Sequence, residues 1–264
     1  MAEVIANGLR FHTQSLTGQD SSDRGRPHAV MVHGLSVDMS SFYVTIAAGV
    51  AAAADVHLYD LRGHGRSQVP ETGYAVADHL ADLSTLLDAW QIDEPVHLFA
   101  NSFGGIIALC FAHHYPERVA SLFLVEPHLS DHGWGPGMAQ AIVDFGGDPA
   151  ETDRWIGGDP ARARWARRNE DMLRNTSILE DLAREPDLPL SWLQEIECPV
   201  FSIYGSDSDV VSRAVARDRW IPGCRPVVVP GGTHMLLAEA GGVVRDHARR
   251  WMEEQSLARA ASYG

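Results

Sequence analysis

The chain has 264 residues, of which 45% are apolar, and its formal net charge is −14. This length can bury one large hydrophobic core, and so acidic a chain is not expected to bind nucleic acid or anionic membranes. The chain has no apolar run long enough to span a bilayer, no signal-peptide pattern at its N-terminus and no metal-ligand spacing among its three cysteines. These features predict a cytoplasmic protein without structural disulfides.

The first half of the chain alternates short apolar strands with helices. Asn7-Gly8 predicts a tight turn between strands at 2–6 and 9–15. Further strands are predicted at 29–32, 56–59, 96–99 and 122–125, separated by helices over 40–53, 76–90 and 106–114. This alternation indicates an α/β fold with a mostly parallel sheet flanked by helices.

The alternation stops after Pro127 and resumes with strands at 200–204 and 226–229. The intervening stretch has helical patterns and four of the seven tryptophans: Trp134, Trp155, Trp165 and Trp192. We therefore predict a core formed by residues 1–127 and 198–264. Residues 128–197 are predicted to form a helical cap above the carboxyl ends of the strands, where open α/β sheets bind their ligands.

Ser102 lies between a predicted strand and a predicted helix, in the run Ala100-Asn101-Ser102-Phe103-Gly104-Gly105. Small residues two positions before and after a serine are typical of a strained strand-to-helix turn that exposes a nucleophile. The alternative is an ordinary turn that happens to contain serine. The pattern therefore predicts Ser102 as a nucleophile.

A serine hydroxyl needs a base to take its proton, and His234 is the candidate for that base. His234 follows the last predicted strand in the glycine-rich run Pro230-Gly231-Gly232-Thr233-His234.

His33-Gly34 ends an early predicted strand. Glycine there allows the backbone to approach a substrate, so the amides of Leu35 and Phe103 are candidates for an oxyanion hole.

Taken in their order along the chain, these residues resemble the motifs of the α/β-hydrolase family. The run Asp60-Leu61-Arg62-Gly63-His64-Gly65-Arg66-Ser67 also resembles a motif of this family. The resemblance covers nearly the whole chain and implies a catalytic triad of serine, acid and histidine with no metal or organic cofactor. Ala100 departs from the family, which usually has glycine at that position. Aspartate is the nucleophile in dehalogenases and epoxide hydrolases of this fold, so Ser102 indicates acyl transfer.

The acid of the triad has three candidates. The family commonly has an aspartate three residues after a glycine that follows the post-cap strand, but this chain has Ser208 there, between Asp207 and Asp209. Glu126 ends the strand after the nucleophile helix. Zearalenone lactonases and the thioesterase of curacin biosynthesis are similar in using a glutamate from that strand end. We favour Glu126 and keep Asp209 and Asp207 as alternatives.

These residues predict a serine hydrolase that cleaves an ester, lactone or thioester of a largely apolar small molecule through an acyl-enzyme. Trp192, near the end of the cap, is a candidate substrate contact. The elbow also resembles that of meta-cleavage C–C hydrolases, which need a cation for the substrate carboxylate. Arginines of the cap are candidates for it: Arg154, Arg162, Arg164, Arg167, Arg168 and Arg174. A third reading is a homologue that only senses a small ligand. The oligomeric state stays open.

Overall fold

The computed structural model describes residues 2–17, 25–128, 133–145, 158 and 160–262, in which eight strands form a single sheet. The strands are β1 (Ala2–Ala6), β2 (Leu9–Leu16), β3 (His28–Val32), β4 (Asp55–Tyr59), β5 (Val96–Asn101), β6 (Val119–Val125), β7 (Val200–Gly205) and β8 (Arg225–Val229). Their order is β1-β2-β4-β3-β5-β6-β7-β8. The pairs β1/β2 and β2/β4 are antiparallel and all others are parallel.

Helices connect the strands and pack on the sheet. They are α1 (Ser40–Tyr43), α2 (Ala47–Val50), α3 (Val76–Ala89), α4 (Phe103–His114), α5 (Trp134–Phe145), α6 (Pro160–Asn175), α7 (Ile178–Arg184), α8 (Leu190–Gln194), α9 (Val211–Asp218), α10 (Leu236–Glu239) and α11 (Gly241–Ser262). The predicted fold class, a mostly parallel sheet flanked by helices, is confirmed.

Alternate residues of each central strand enter two different hydrophobic clusters. In β3, Val30 and Val32 join the cluster that contains α3 and α4, whereas Ala29 and Met31 join the cluster that contains α2 and α11. Successive side chains of a strand point to opposite faces, so the two clusters lie on the two faces of the sheet. This double burial explains why the central strands are continuous apolar runs.

The prediction of one helix over 40–53 is wrong, because two short helices, α1 and α2, stand there instead. The interruption coincides with three consecutive β-branched residues, Val44-Thr45-Ile46, which disfavour a helix. The Thr45 hydroxyl also bonds the Ser41 carbonyl at 2.5 Å. Side-chain bonds to the backbone of this kind compete with regular helix geometry.

The described part of the segment between β6 and β7 contains four helices and no strand. Within it α5 packs on α7, and α8 contacts α4 of the core. Two of its carboxylates bond amides at the start of α3: Asp181 Oδ2 accepts from Tyr74 N at 2.9 Å, and Glu185 Oε1 from Val76 N at 2.5 Å. Carboxylates are favourable at a helix N-terminus, so these contacts anchor the segment to the core.

Candidate active site

Ser102 occupies a strained turn between β5 and α4. Its φ of 53° and ψ of −117° lie in a region that residues with a side chain rarely adopt. The two glycines that follow make the turn possible, because a Cβ on Gly104 would stand 2.2 Å from the Val32 carbonyl oxygen and one on Gly105 would stand 2.5 Å from Pro127 Cβ. The turn therefore needs its glycines for close packing.

A chain of hydrogen bonds joins Ser102 to His234 and His234 to Glu126. Ser102 Oγ lies 3.0 Å from His234 Nε2, and His234 Nδ1 lies 3.2 Å from Glu126 Oε2. The arrangement fits a neutral imidazole whose Nδ1–H donates to the carboxylate and whose Nε2 accepts from the serine hydroxyl. Two bonds from Thr233 to the Glu239 carboxylate, each of 2.9 Å, hold the loop that carries His234.

The sheet register explains why Glu126 reaches this chain. Asn101 of β5 pairs with Val125 of parallel β6, so the next residues, Ser102 and Glu126, leave the same edge of the sheet side by side. Glu126 also has a positive φ, 49°, which turns the chain at the strand end. The two residues are 24 apart in sequence but adjacent in space.

Glu126 is completely buried, and two donors besides His234 satisfy its carboxylate. Gly205 N donates to Oε1 at 2.5 Å and the Ser208 hydroxyl donates to Oε2 at 2.6 Å. A buried carboxylate needs such partners, since an unpaired one would be strongly destabilising. Ser208 therefore stands where an aspartate was expected and supports Glu126 from that position, a role that sequence reasoning missed.

The other two acid candidates lie apart from this chain. Asp207 and Asp209 are exposed, and within the part of the chain that the structure describes neither hydrogen-bonds to His234. The Asp207 carboxylate instead accepts from the Ser206 hydroxyl at 2.8 Å. Of the three predicted acids, the structure brings only Glu126 to the histidine.

The predicted oxyanion donors come from two segments next to Ser102. Phe103 is the first residue of α4, so its backbone N–H has no acceptor within the helix. A Cβ on Gly34 would stand 3.0 Å from Ser102 Cβ, which places the segment before Leu35 against the serine. Ser36 has a φ of 58°, and Asn169 of α6 donates to its carbonyl at 3.3 Å.

His128 is a second histidine beside His234, which sequence reasoning missed. Its ring centroid lies 4.8 Å from that of His234, and its backbone N–H donates to the Ser102 carbonyl at 3.2 Å. Burial first, and then the neighbouring His234, lower the pKa of His128 to about 3, so it is neutral near pH 7. Its position two residues after Glu126 was the only feature of the sequence that could have marked it as a site residue.

The tryptophans of the segment between β6 and β7 occupy different surroundings. The Trp134 ring is stacked on that of Phe103, with centroids 6.1 Å apart and planes 3° from parallel. The Trp192 ring is stacked on that of His113, with centroids 4.1 Å apart, near the end of α4 that is farther from Ser102. Trp165 is half-buried, and Trp155 lies outside the described residues. The structure therefore does not bring Trp192 to Ser102.

The predicted arginines also differ in their surroundings. Arg164, Arg167 and Arg174 are exposed, as expected of a solvated helix face. Arg168 is half-buried, and its Nη2 donates to the Ser67 carbonyl at 3.1 Å. Arg154 and the side chain of Arg162 lie outside the described residues.

Among the residues that the structure describes, no three His, Cys, Asp or Glu side chains stand close enough together to hold a metal ion. No helix in the described ranges combines the length and the apolar character needed to cross a membrane.

Comparison with known proteins assigns the chain to a family. The model of the alpha/beta hydrolase fold matches residues 27–188, more than half of the chain. The chain therefore belongs to the α/β-hydrolase fold family.

Particular relatives match over part of their length. The chain is 33% identical over 121 residues to the pimeloyl-[acyl-carrier protein] methyl ester esterase of Chromobacterium violaceum, 45% of either chain. It is 35% identical over 125 residues to the 2-hydroxy-6-oxo-2,4-heptadienoate hydrolase of Pseudomonas putida, 46% of this chain and 42% of that one. The chain covers only 28% to 45% of the length of these two relatives and of a similar Mycobacterium bovis protein.

Solved structures show the same fold over nearly the entire chain. The thermophilic esterase from Thermogutta terrifontis has a TM-score of 0.78 and 18% identity, over 97% of this chain and 98% of that one. At this identity the likeness establishes the fold alone.

Proposed function

We propose that this protein is a serine hydrolase that cleaves an ester, lactone or thioester of a largely apolar small molecule. The observation that carries the proposal is the hydrogen-bonded chain from Ser102 through His234 to the buried Glu126. A serine at a strained turn, a histidine at 3.0 Å and a carboxylate that orients the histidine form the constellation used for acyl transfer. The methyl ester esterase among the relatives supports this class of substrate.

In the proposed mechanism His234 Nε2 removes the Ser102 hydroxyl proton as Oγ bonds to the substrate carbonyl carbon. The carbonyl oxygen takes the displaced electron pair, and the amides of Leu35 and Phe103 donate to that oxyanion. When the tetrahedral intermediate collapses, its bond to the leaving oxygen or sulfur breaks, and His234 returns the proton to that atom. Water then repeats the sequence on the acyl-enzyme, releasing the acid and restoring Ser102.

Glu126 has an electrostatic part in this mechanism. Its carboxylate orients His234 and stabilises the imidazolium that forms when the serine proton is transferred.

We propose that residues 128–197 act as a cap that shapes the substrate site. The described part of this segment includes His128, which lies beside His234, and Trp134, which is stacked on Phe103.

The test is the hydrolysis of p-nitrophenyl butyrate by Ser102→Ala beside a control, Ser191→Ala, at an exposed serine of α8. Ser102→Ala is expected to lower kcat by at least about a thousandfold, because the nucleophile is lost. Ser191→Ala is expected to keep the activity of the unmodified protein. A fluorophosphonate should add to the unmodified protein and not to Ser102→Ala, as read by mass spectrometry. Full turnover by Ser102→Ala would refute the proposal.

A second candidate function is hydrolysis of a C–C bond in a ring-cleavage product. The relative named 2-hydroxy-6-oxo-2,4-heptadienoate hydrolase favours it, and half-buried Arg168, which bonds the Ser67 carbonyl, is the candidate cation for the substrate carboxylate. It predicts turnover of 2-hydroxy-6-oxo-2,4-heptadienoate that falls at least tenfold in Arg168→Ala and not in a control at exposed Arg167. Absence of turnover by the unmodified protein would exclude it.

A further inference from the structure

A cavity of about 360 Å³ lies between the core and the segment that joins β6 to β7, and Ser102 is not among the residues that line it. Its inner wall consists of buried side chains from three helices: Leu80, Ile106, Cys110 and Trp134. At its outer end stand exposed residues, among them Ala77 and His114. The cavity is therefore a pocket with an apolar floor and an opening to solvent.

The floor of the pocket follows one face of the nucleophile helix. Ile106, Cys110 and His114 of α4 are spaced by four residues and so lie on one stripe. At a rise of 1.5 Å per residue the stripe is about 12 Å long. Phe103 lies on the same face one turn before Ile106, so the inner end of the pocket is close to the start of α4.

Two stacked rings close this inner end. Trp134 lines the pocket and stacks on Phe103, the residue after Ser102. Trp134 also lies 6.5 Å from His128, ring centroid to ring centroid. The indole Nε1–H of Trp134 is buried and has no hydrogen-bond partner among the described residues. This atom is not accessible from the pocket, so a bound molecule would contact the apolar ring of Trp134 and not its N–H.

The charges around the pocket disfavour an anionic ligand. Glu185 and Asp187 belong to its lining, and among the residues that the structure describes no lysine or arginine does. Burial raises the pKa of Glu185, although its carboxylate accepts a bond from Val76 N. A carboxylate or phosphate brought into this pocket would be repelled by these groups and would lose its hydration.

We propose that this pocket is a second binding site, for a neutral molecule with an unbranched apolar chain. Its floor length suits an extended aliphatic chain, and its volume is that of small-molecule sites and too small for a peptide helix. Ser102 does not line this pocket, and binding in it does not depend on the proposed hydrolase activity.

The experiment is isothermal titration of 1-octanol and of octanoate into the full chain at pH 7.5. The substitution Ala77→Trp fills the opening, and Ala89→Trp places the same side chain at an exposed position 12 residues further along α3. We expect saturable binding of 1-octanol that weakens at least tenfold in Ala77→Trp and less than twofold in Ala89→Trp. Octanoate should bind at least tenfold more weakly than 1-octanol, and Glu185→Gln should reduce that difference.

Circular dichroism verifies that each variant is folded before its titration is interpreted. No saturable binding of 1-octanol by the unmodified protein would overturn the proposal. Equal affinity of the unmodified protein and folded Ala77→Trp would also overturn it, because 1-octanol would then occupy another site, including the one at Ser102. If Ala77→Trp does not fold, Cys110→Phe at the floor of the pocket replaces it under the same criteria.

Discussion

Ser102 and Glu126 are both non-glycine residues with positive φ, and each ends a strand at the same edge of the sheet. Such conformations cost about 1–3 kcal/mol each and persist where the surrounding structure holds them. The Ser102 amide bonds the Val125 carbonyl at 3.0 Å, and the Glu126 amide bonds the Ile203 carbonyl at 2.9 Å. Neighbouring strands thus hold both turns and direct the two side chains toward His234.

Glu126→Gln is expected to lower kcat by roughly a hundredfold to ten-thousandfold, because a neutral amide does not stabilise the imidazolium and permits the wrong histidine tautomer. Asp207→Asn and Asp209→Asn are expected to stay within about threefold of the unmodified protein. Steady-state hydrolysis of p-nitrophenyl butyrate measures all three. A collapse in either aspartate variant, with Glu126→Gln near full rate, would assign the acid to that aspartate.

The Ser208 hydroxyl donates a hydrogen bond to the buried Glu126 carboxylate. Ser208→Ala removes the 2.6 Å bond to Glu126 and is expected to lower kcat by about tenfold with little change in KM, since a hydrogen bond to a charged group contributes about 1.5–3 kcal/mol. Ser208→Thr keeps a hydroxyl and should restore most of the rate. The control is Ser206→Ala, at an exposed neighbour. A rate unchanged in Ser208→Ala would show that the Gly205 amide alone positions Glu126.

At the scale of elements, the contact of α4 with the sheet depends on glycine. Gly104→Ala would place a Cβ 2.2 Å from the Val32 carbonyl oxygen, so α4 would have to move away from β3. We expect the free energy of unfolding to fall by about 1–3 kcal/mol, together with most of the activity. Gly137→Ala in α5 meets nothing within 4 Å and should leave stability equal or raise it by up to about 1 kcal/mol. Urea unfolding of both variants, followed by circular dichroism, measures the difference, and equal midpoints would contradict this account.

The end of α9 contains a buried carboxyl that makes stability depend on pH. Asp218 is 1% exposed, accepts a bond from the Ser202 hydroxyl, and has a pKa raised by burial from 3.8 to about 6. The folded protein therefore binds this proton more tightly than the unfolded chain, and stability falls as pH rises from about 4 to 6. Above that range ionised Asp218 costs about 3 kcal/mol, at about 1.4 kcal/mol per pKa unit.

Asp218→Asn is expected to raise the free energy of unfolding at pH 7.5 and to change it little at pH 4, because the amide keeps an acceptor for Ser202 and carries no charge. Asp93→Asn, at an exposed position, is the control. Thermal unfolding at both pH values measures the effect. A loss of stability at pH 7.5 would show that the Asp218 carboxylate has a stabilising partner that outweighs its burial.

At the scale of the whole molecule, α6 joins the segment between β6 and β7 to the core. Asn169 of α6 donates to the carbonyl of Ser36, and Arg168 donates to that of Ser67. Met172 of the same helix is buried, and its sulfur borders Gly63. Because Ser36 has a positive φ and follows Leu35, these contacts connect α6 to the proposed oxyanion donor.

Asn169→Ala is expected to lower kcat severalfold. The midpoint of thermal unfolding should stay within a few degrees of that of the unmodified protein, because the loss of one hydrogen bond costs about 1 kcal/mol. Asn175→Ala, at an exposed position of the same helix, is expected to have no effect. Unchanged kcat in Asn169→Ala would mean that α6 does not influence the segment around Leu35.

Much of this architecture could be predicted from local patterns. Short apolar strands alternating with helices predicted the sheet, and the small residues around Ser102 predicted its turn, because both signals act over a few neighbouring residues. The prediction of one helix over 40–53 was wrong, because it rested on apolar composition and ignored three successive β-branched residues that disfavour a helix. Ser208 and His128 were missed because their importance comes from contacts with residues far away in the chain.

Local patterns in a fixed chain order were enough to predict the fold family and to single out Ser102 and His234. The carboxylate that meets His234 follows instead from the folded chain, since it depends on the register of β5 against β6 and on the burial of Glu126 between Gly205 and Ser208. Folding also places Trp134 against Phe103 and Trp192 at the other end of α4. Contacts of this kind form between segments far apart in sequence, where no local spacing records them.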